Sequence, residues 1–422
     1  GLVPTITRTG LSVSPASGAA QDFTGPVTYT VTAQNGSTAA YTVTVTEAPL
    51  TTIADIGDYF TAADGLYAGT TGDPIPLPVA LDLADTGWTD LLGAIDDADK
   101  FVALDLSACG MTGEFDPGAT DTDADRVAAK GKIVSLVLPE GATGVKAGDD
   151  WSNPTFKNFT ALKSIAGTGI ETIGEYAFFN CTALTTVSLD VAESIGDEAF
   201  RNCTKLTTVS LPMADSIGEW AFAECIALEE VSLPAATSIG NGAFQTCIKL
   251  TTVSLPEAAS IGNGAFIYCT ALEEVSLDVA ESIGDDAFRN CTALETVSLP
   301  KAESIGVYAF LGCTALEEVS LPKATSIGDT AFACTGTKAL TVTLGDAVPT
   351  LGTEMFYEVT DAKTVTVKVP SGASGYGSSP TDTTTDNWGN GFRGRGWRDG
   401  DIVKNSDYVN SYITLTIEEY TP

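Results

Sequence analysis

The chain has 422 residues, of which 44% are hydrophobic, and 55 Asp and Glu against 21 Lys and Arg give a formal net charge of −34. This charge argues against nucleic acids and anionic membrane surfaces as partners, because phosphate binding needs a basic surface. The absence of histidine excludes Ser-His and Cys-His nucleophilic sites and most ordinary zinc sites. No apolar run approaches the ~20 residues that a transmembrane helix needs.

Residues 1–48 are predicted to form a small all-β segment. Two runs of alternating residues, Val27–Thr32 and 41–45, flank an Asn-Gly turn at 35–36, which is typical of a β-hairpin. The segment 12–23 resembles the second half of an immunoglobulin-like module of bacterial surface proteins. This resemblance implies that the chain starts inside a domain and that the natural protein has residues upstream, including any signal peptide.

Residues 49–100 are interpreted as an N-terminal cap. The segment Ile53–Ala63 has helical spacing, and the proline-rich segment 74–78 leads into a predicted strand at 79–83. The segment 88–98 is amphipathic. Its apolar face carries Trp88, Leu91, Leu92 and Ile95.

A leucine-rich-repeat solenoid is predicted for residues 101–356. The segment 101–111 carries the leucine-rich signature, and 133–139 and 162–165 predict further strands. An insertion contains three aspartates in the spacing of a calcium loop, but Arg126 and Lys132 stand where that loop needs Gly and Glu. We therefore interpret this insertion as a solvated acidic loop. Its aspartates are Asp121, Asp123 and Asp125.

A regular 22-residue unit recurs over residues 173–334, reading I-G-x-x-A-F-x-x-C-x-x-L-x-x-V-x-L followed by a linker that ends in Ser. Self-similarity at a fixed period in the twenties indicates a solenoid. The run V-S-L predicts a short strand with Val and Leu inward and Ser outward. The run A-F-x-x-C predicts a short helical turn behind the strand, and the Gly after Ile permits a turn that a Cβ would hinder.

The unit resembles the BspA-type leucine-rich repeat of bacterial cell-surface proteins. The positions that match this pattern in order are Leu206, Val209, Leu211, Pro212, Ile217, Gly218, Ala221, Phe222 and Cys225. The chain departs from the pattern in its linker, where a small residue replaces an apolar one, as at Ala192, Ala214 and Ala236. The expected fold class is an α/β repeat solenoid of stacked parallel strands with short helical turns, preceded by a small all-β immunoglobulin-like segment.

Seven of the nine cysteines fall in one column of the repeat, and Cys334 is slightly out of step. Equivalent side chains in adjacent coils lie about 5 Å apart and point the same way, whereas a disulfide needs Cβ atoms that converge. We predict buried free thiols rather than disulfides or a metal site. The column consists of Cys181, Cys203, Cys225, Cys247, Cys269, Cys291 and Cys313.

Residues 357–422 are predicted to form a C-terminal capping region with strands at Thr364–Pro370 and 412–417. Between them, residues 387–397 combine positive charge with aromatic side chains. Nucleic-acid binding is one interpretation, but we favour a cap that covers the last coil. Its aromatic residues are Trp388, Phe392 and Trp397.

The outward residues of the predicted strands form a candidate binding ribbon. A polar, partly acidic ribbon can bind a protein or a glycan through many modest contacts, although Ser and Thr also simply suit a solvated strand. The ribbon residues are Ser188, Ser210, Glu230, Ser232, Ser254, Glu274, Ser276, Ser298, Glu318 and Ser320. Exposed aromatic candidates on the turn side, which could equally pack between coils, are Tyr176, Trp220 and Tyr308.

No residues break the repeat and converge as a catalytic site would require, so the chain is predicted to be non-catalytic and without a cofactor or metal. Neighbouring glutamates in a strand point to opposite sides and do not flank a bond. The family resemblance implies adhesion to host matrix proteins, other bacteria or glycans. We expect a cell-surface or secreted monomer with an extracellular protein or glycan ligand. The alternatives are a structural cell-envelope scaffold and a carbohydrate-active enzyme.

Overall fold

The computed structural model of the protein describes residues 12–16, 27–43, 48–63, 66–83, 86–120, 124–333, 339–346, 349–352, 364–370, 402–404 and 412–420. The chain divides into two compact units, Gly1–Pro49 and Leu50–Pro422, which we describe separately. The finer division of the second unit into caps and solenoid stays a prediction.

The first unit contains an antiparallel sheet of three strands in the order β1-β2-β3. The strands are β1 (Ser12–Ser14), β2 (Val27–Thr32) and β3 (Thr38–Val43). Gly36 takes the left-handed turn conformation with φ 81°, and β3 starts three residues before the predicted run at 41–45. The sheet agrees with the small all-β segment expected from the sequence.

Two helices begin the second unit, α1 (Ile53–Ala63) and α2 (Gly87–Ala98). At the start of α1, the Asp55 amide donates to Thr52 Oγ1 and the Thr52 amide donates to Asp55 Oδ2, both at 3.1 Å, which forms a reciprocal cap. The predicted apolar face of α2 is confirmed, because all four of its residues are buried.

The strand predicted at 79–83 is wrong, because the proline-rich segment before it is itself the strand β4 (Ile75–Pro78). Ile75 and Leu77 face the core, and Pro76 and Pro78 alternate with them. Proline has no N–H to donate to a further strand, so it suits the outer strand of a sheet. Beyond it, Val79 forms only an isolated bridge, to Leu50.

Irregular coils lead from β4 into the repeats. Their strands are β5 (Val102–Asp105), β6 (Gly113–Phe115), β7 (Ile133–Val137), β8 (Ala142–Val145) and β9 (Ser164–Ala166). A 3₁₀ helix (Pro117–Thr120) and α3 (Ala124–Lys130) lie between β6 and β7.

Each regular unit contributes two short strands, which we call the valine strand and the isoleucine strand after their buried residues. The isoleucine strands are β10 (Thr172–Ile173), β12 (Ser194–Ile195), β14 (Ser216–Ile217), β16 (Ser238–Ile239), β18 (Ser260–Ile261), β20 (Ser282–Ile283), β22 (Ser304–Ile305) and β24 (Ser326–Ile327). The valine strands are β11 (Thr186–Ser188), β13 (Thr208–Ser210), β15 (Glu230–Ser232), β17 (Thr252–Ser254), β19 (Glu274–Ser276), β21 (Thr296–Ser298) and β23 (Glu318–Leu321).

The last described strands continue the stack. They are β25 (Leu340–Leu344), β26 (Thr350–Leu351), β27 (Thr364–Pro370), β28 (Ile402–Lys404) and β29 (Tyr412–Tyr420). The predicted strands at β27 and β29 are confirmed, and β28, which the sequence did not predict, pairs antiparallel with β29. The aromatic cluster at 387–397 and Cys334 lie outside the described residues.

The strands of the regular units pair in parallel with their equivalents in neighbouring coils, except where the valine side breaks between β13 and β15 and between β19 and β21. The eight isoleucine strands form one parallel sheet of 11 strands together with β6, β8 and β26. The valine side forms three successive sheets, of six strands (β4 to β13), three strands (β15 to β19) and six strands (β21 to β28). The predicted solenoid of stacked parallel strands is therefore confirmed.

The segment A-F-x-x-C forms a series of tight turns rather than a helical turn. In one unit, Glu198 and Asn202 both have positive φ, 52° and 59°, and a right-handed helix cannot pass through such residues. The turns instead bond to the next coil: the Phe200 amide donates to the Ala221 carbonyl at 2.8 Å.

The core of the solenoid is a stack of identical side chains. From Phe178 to Phe332, successive phenylalanine rings lie 5.0–5.5 Å apart at interplanar angles of 2–9°. The seven cysteines of the column are free and buried, as predicted. The Sγ of Cys203 donates to the Phe178 carbonyl at 3.2 Å, and the later cysteines repeat this bond to the preceding coil.

The glycine after each isoleucine is required by the close approach of coils. A Cβ built on Gly240 would lie 2.6 Å from the carbonyl carbon of Gly218, and one on Gly262 would lie 2.6 Å from that of Gly240. These glycines do not have positive φ, so a Cβ would be excluded by the neighbouring backbone and not by their own conformation.

Candidate binding surface

The structure brings the predicted ribbon residues into register along the valine strands. Ser188 lies opposite Ser210 in the first sheet. In the second sheet, Ser232, Ser254 and Ser276 follow one another, beside Glu230, Thr252 and Glu274. In the third sheet, Ser298 lies opposite Ser320 and Thr296 opposite Glu318. All ten predicted positions are on the outer side of the strands.

Exposure differs along the ribbon. Glu230, Glu274 and Glu318 are exposed, whereas some of the serines are exposed and others are half-buried. The valine between the two outward residues of each strand is buried, except for the half-buried Val209. The ribbon is therefore a polar layer supported directly by the hydrophobic core.

Hydrogen bonds between coils hold the edge of the ribbon. The hydroxyls of Thr185, Thr207 and Thr251 donate to the carbonyls of the preceding coils, at 2.8–3.2 Å. Asp190 Oδ1 accepts from Ser210 Oγ at 2.8 Å. These side chains serve the coil-to-coil contact, whereas the glutamates leave their carboxylates at the surface.

The paired glutamates give the ribbon its acidic character. Glutamates stand together at 229–230, 273–274 and 317–318, on every second coil, and all six are exposed. The neighbouring coils carry Thr251 with Thr252 and Glu295 with Thr296. This arrangement favours a partner with basic or hydroxyl-rich contacts over an anionic one.

The turn side of the solenoid carries two similar aromatic sites. The Arg201 guanidinium carbon lies 5.7 Å from the Trp220 ring centroid, and that of Arg289 lies 5.9 Å from the Tyr308 ring centroid. Arg201 also pairs with Glu198 at 2.9 Å, and Arg289 with Asp286 at 3.0 Å. Trp220 and Tyr308 are 38% and 40% exposed, whereas Tyr176 is half-buried and contacts Phe179 edge to face.

A longer repeat explains why these sites resemble each other. Residues 189–204 and 277–292 have the same sequence except at Glu198 and Asp286, so the units are related across four coils. The 22-residue pattern alone presents the eight units as equivalent and does not reveal this relation. The signal was available, because the spacing of the two segments is four times the 22-residue period.

The N-terminal part of the second unit has an open cavity of about 880 Å³ between α1 and α2. Asp90, Asp96 and Asp97 line it together with Lys100 and Arg126. Lys132 Nζ lies 3.1 Å from Asp96, which lines the cavity, and 2.9 Å from Asp99. The hydrogen bond from Lys132 lowers the pKa of the Asp99 carboxyl. The lysine thus compensates acidic groups at the C-terminal end of a helix, where they are unfavourable.

Within the ranges that the structure describes, no group of three or more Cys, Asp and Glu side chains could hold a metal ion. No helix in these ranges has the length and apolarity to cross a bilayer. Asp121 and Asp123 of the acidic insertion lie outside them.

A known protein family matches the repeats of this chain. The model of the BspA type leucine rich repeat region matches residues 150–273, 193–302 and 281–378, which together span more than half of the chain. The chain belongs to the BspA-type leucine-rich repeat family. A second model, described as "SGBP, N-terminal", matches residues 1–45 of this BspA-type protein. No curated protein matches this chain.

Solved structures of bacterial proteins resemble this BspA-type chain. A leucine-rich repeat protein from Bacteroides ovatus is 22% identical over 56% of this chain and 79% of its own, with a TM-score of 0.32. A leucine rich cell surface protein from Faecalibacterium prausnitzii is 20% identical over 56% and 83%, with a TM-score of 0.28. The T. pallidum leucine rich repeat protein is 25% identical over 43% and 78%, with a TM-score of 0.33. Family membership favours a binding or scaffold role.

Proposed function

We propose that this protein is a non-catalytic, cell-surface or secreted monomer that binds an extracellular protein or glycan along its ribbon. The observation that carries the proposal is the register of the valine strands, which aligns exposed Ser, Thr and Glu side chains over a closely packed core. A surface of this kind is stiff, so it loses little conformational entropy when a ligand binds. Adhesion to host or bacterial surfaces is the role that we propose for this surface.

A binding role agrees with the chemistry of the ribbon better than catalysis does. Its paired glutamates are exposed and adjacent in sequence, so they point to different sides of the chain. A glycosidase needs two carboxyl groups that face each other across the bond to be cleaved. The net charge of −34 also makes copies of the chain repel one another, which supports the monomer.

The test is a screen of the purified protein against arrays of extracellular-matrix proteins and glycans, with Glu230→Lys, Glu274→Lys and Glu318→Lys combined in one variant. The change reverses three exposed charges of the ribbon, so we expect the affinity for each ligand to fall at least tenfold. The matched control is Glu193→Lys, Glu281→Lys and Glu303→Lys, which alters the same charge before the isoleucine strands.

The comparison of the two variants decides the outcome. Ligands lost by the ribbon variant and retained by the control support the ribbon as the binding surface. Equal loss in both variants would indicate a general charge effect and would contradict the site. Arrays without any ligand would favour the structural scaffold of a cell envelope, and turnover of a glycan on the array would favour the enzyme.

A further inference from the structure

One loop interrupts the otherwise regular turns of the solenoid. Val145 lies opposite Ile173 in the parallel sheet. The Phe156 and Phe178 rings stack with their centroids 4.3 Å apart, so each pair occupies the same place in successive coils. From isoleucine to phenylalanine the regular unit advances five positions, whereas the coil before it advances 11 from Val145 to Phe156. The additional residues form a loop at 148–153, which we call the Trp151 loop. An insertion of this kind in a solenoid forms a loop on one face, which is often the binding face.

Hydrogen bonds hold the Trp151 loop in one conformation. Asp150 Oδ1 accepts the Ser152 amide at 2.7 Å and the Ser152 hydroxyl at 2.6 Å. Asn153 Nδ2 donates to Asp149 Oδ2 at 2.6 Å, and the Asp149 amide donates to the Asn153 carbonyl at 3.2 Å. A loop that is ordered before binding loses little conformational entropy when a partner binds.

The loop presents its tryptophan to solvent. Trp151 is 66% exposed, whereas Trp88 in α2 is 6% exposed and Trp220 is 38% exposed. An indole stabilises a fold through the apolar surface that it buries, so a ring that stays mostly in water adds little to stability. At protein interfaces, by contrast, tryptophan is among the residues that contribute most to the binding energy. A partner therefore explains this side chain better than the fold does.

A small open cavity lies at the base of the loop. It has a volume of about 160 Å³, and it is lined by Asp149 and Asn153 of the loop and by Asp116 and Lys146 outside it. Sites for small molecules have volumes of about 300–1,000 Å³, so this cavity is too small for an oligosaccharide. It has room for a single side chain of a larger partner.

The charges around the cavity select a basic side chain. Lys146 Nζ donates to Asp116 Oδ2 at 2.6 Å, and this hydrogen bond raises the pKa of the Lys146 ammonium group. The negative charges of Asp149 and Glu114 raise this pKa further, so the electrostatic potential around the cavity is negative. Within the described ranges, neither Asp149 nor Asp150 forms an ion pair. Their exposed carboxylates can therefore bind a cation.

The tryptophan and the charge of the whole chain favour the same class of partner. A Lys or Arg side chain over the face of an indole is attracted by the ring quadrupole, and the net charge of −34 steers cations towards the chain. We propose that the Trp151 loop binds a basic segment of a protein partner, with one Lys or Arg side chain in the cavity beside Asp149 and another against the Trp151 ring. The loop follows β8 of the isoleucine-strand sheet and contains no ribbon residue, so it is a second binding surface beyond the ribbon.

The test begins with an array of peptides that each carry several Lys or Arg residues and a matched array in which Gln replaces them, both probed with the whole chain. We expect selective binding of the basic peptides. Calorimetric titration with the tightest of them should show a loss of affinity of at least about fivefold in Trp151→Ala. This substitution keeps the net charge and removes an exposed side chain, so neither general attraction nor misfolding accounts for the loss. Asp149→Asn should also weaken binding, because the amide oxygen still accepts the hydrogen bond from Asn153 but carries no charge.

The matched controls are Tyr268→Asn and Asp278→Asn. Tyr268 is an exposed aromatic residue of the turn side whose left-handed backbone asparagine tolerates, and Asp278 is an exposed carboxylate of a linker. We expect both variants to bind within about twofold of the unchanged protein.

Absence of binding to every basic peptide, full affinity in either loop variant, or equal loss in the controls would overturn the proposal. Equally tight, Trp151-dependent binding of the Gln peptides would overturn it as well, because the site would then not select charge. Trp151→Ala should cause the same loss when it is added to the triple ribbon variant, so failure here is distinct from failure of the ribbon.

Discussion

At the scale of single residues, the buried thiols couple folding to alkaline pH. Burial raises the pKa of Cys181 and Cys247 to about 12, above the ordinary value of 9.0. Between these two values the folded chain keeps protons that the unfolded chain loses, so a rise in pH favours unfolding. The contribution of these thiols to stability is fully present below pH 9 and is lost as the pH rises towards 12.

We expect the free energy of unfolding to fall by up to ~1.4 kcal/mol per pH unit for each such thiol in this window. Urea denaturation at a series of pH values measures this slope. The variant Cys247→Ala is less stable throughout, because it leaves a cavity and removes the hydrogen bond from Sγ to the Phe222 carbonyl. The dependence of its free energy of unfolding on pH should nevertheless be weaker by the contribution of one thiol. The same slope in both proteins would contradict the coupling.

At the scale of elements, the valine strands could be predicted from the sequence and the isoleucine strands could not. The run V-S-L alternates outward and inward residues, and this period is the signal of a half-buried strand. An isoleucine strand such as Ser216–Ile217 has two residues, too few for any period. The run A-F-x-x-C predicts a helical turn because its apolar residues have helical spacing. The residues with left-handed backbone in these turns share no common residue type, so the sequence does not reveal them.

Surface features of the solenoid also differ in how well the sequence predicts them. The ribbon follows from the strand register, so its columns could be read from the repeat before the structure was known. The packing of the Trp220 ring against Gly242 depends on the direction of side chains in irregular turns, which no period describes. The repeated Ile-Gly-Asn-Gly is visible in the sequence, but only the structure shows that the Trp220 ring fills the space where a side chain on Gly242 would lie.

The contact between adjacent coils gives a prediction for the glycine column. In Gly262→Ala, the new Cβ would lie 2.6 Å from the Gly240 carbonyl carbon and 2.7 Å from the Asn241 nitrogen. Both are backbone atoms, so the coils must separate, and we expect a loss of about 1–3 kcal/mol in the free energy of unfolding. Chemical denaturation measures it.

The control for this prediction is Gly57→Ala in α1, where a Cβ has no neighbour within 4 Å. Alanine is a better helix former than glycine by ~1 kcal/mol, so this variant should be as stable as the unchanged protein or more stable. Comparable destabilisation by both substitutions would show that close approach of the coils is not the cause.

At the scale of the whole molecule, each coil contacts only its neighbours, so whole units should be removable. Deletion of residues 239–260 joins Ser238 to Ile261 and restores the Ser-Ile sequence of an isoleucine strand. We expect a folded solenoid with one coil fewer. Its free energy of unfolding should be lower by the contributions of one unit and one interface between coils. Circular dichroism and urea denaturation would measure both.

Deletion of residues 239–249 is the matched control, because it removes half of one unit and displaces every later column from its partner. The Phe stack and the Cys hydrogen bonds would then lose their register, so we expect this variant to unfold or aggregate. A cooperative transition of equal stability in both deletions would contradict a stack that depends on register.

The constant separation of the stacked rings makes the solenoid a molecular ruler. Trp220 and Tyr308 lie at the same position of units that are four coil steps apart, and each step measures 5.2–5.3 Å between ring centroids. Gain or loss of one copy of the unit in the gene would change the separation of the two side chains by one such step. The distance between surface groups can therefore change only in discrete increments, and a bivalent ligand would detect the copy number of the repeat directly.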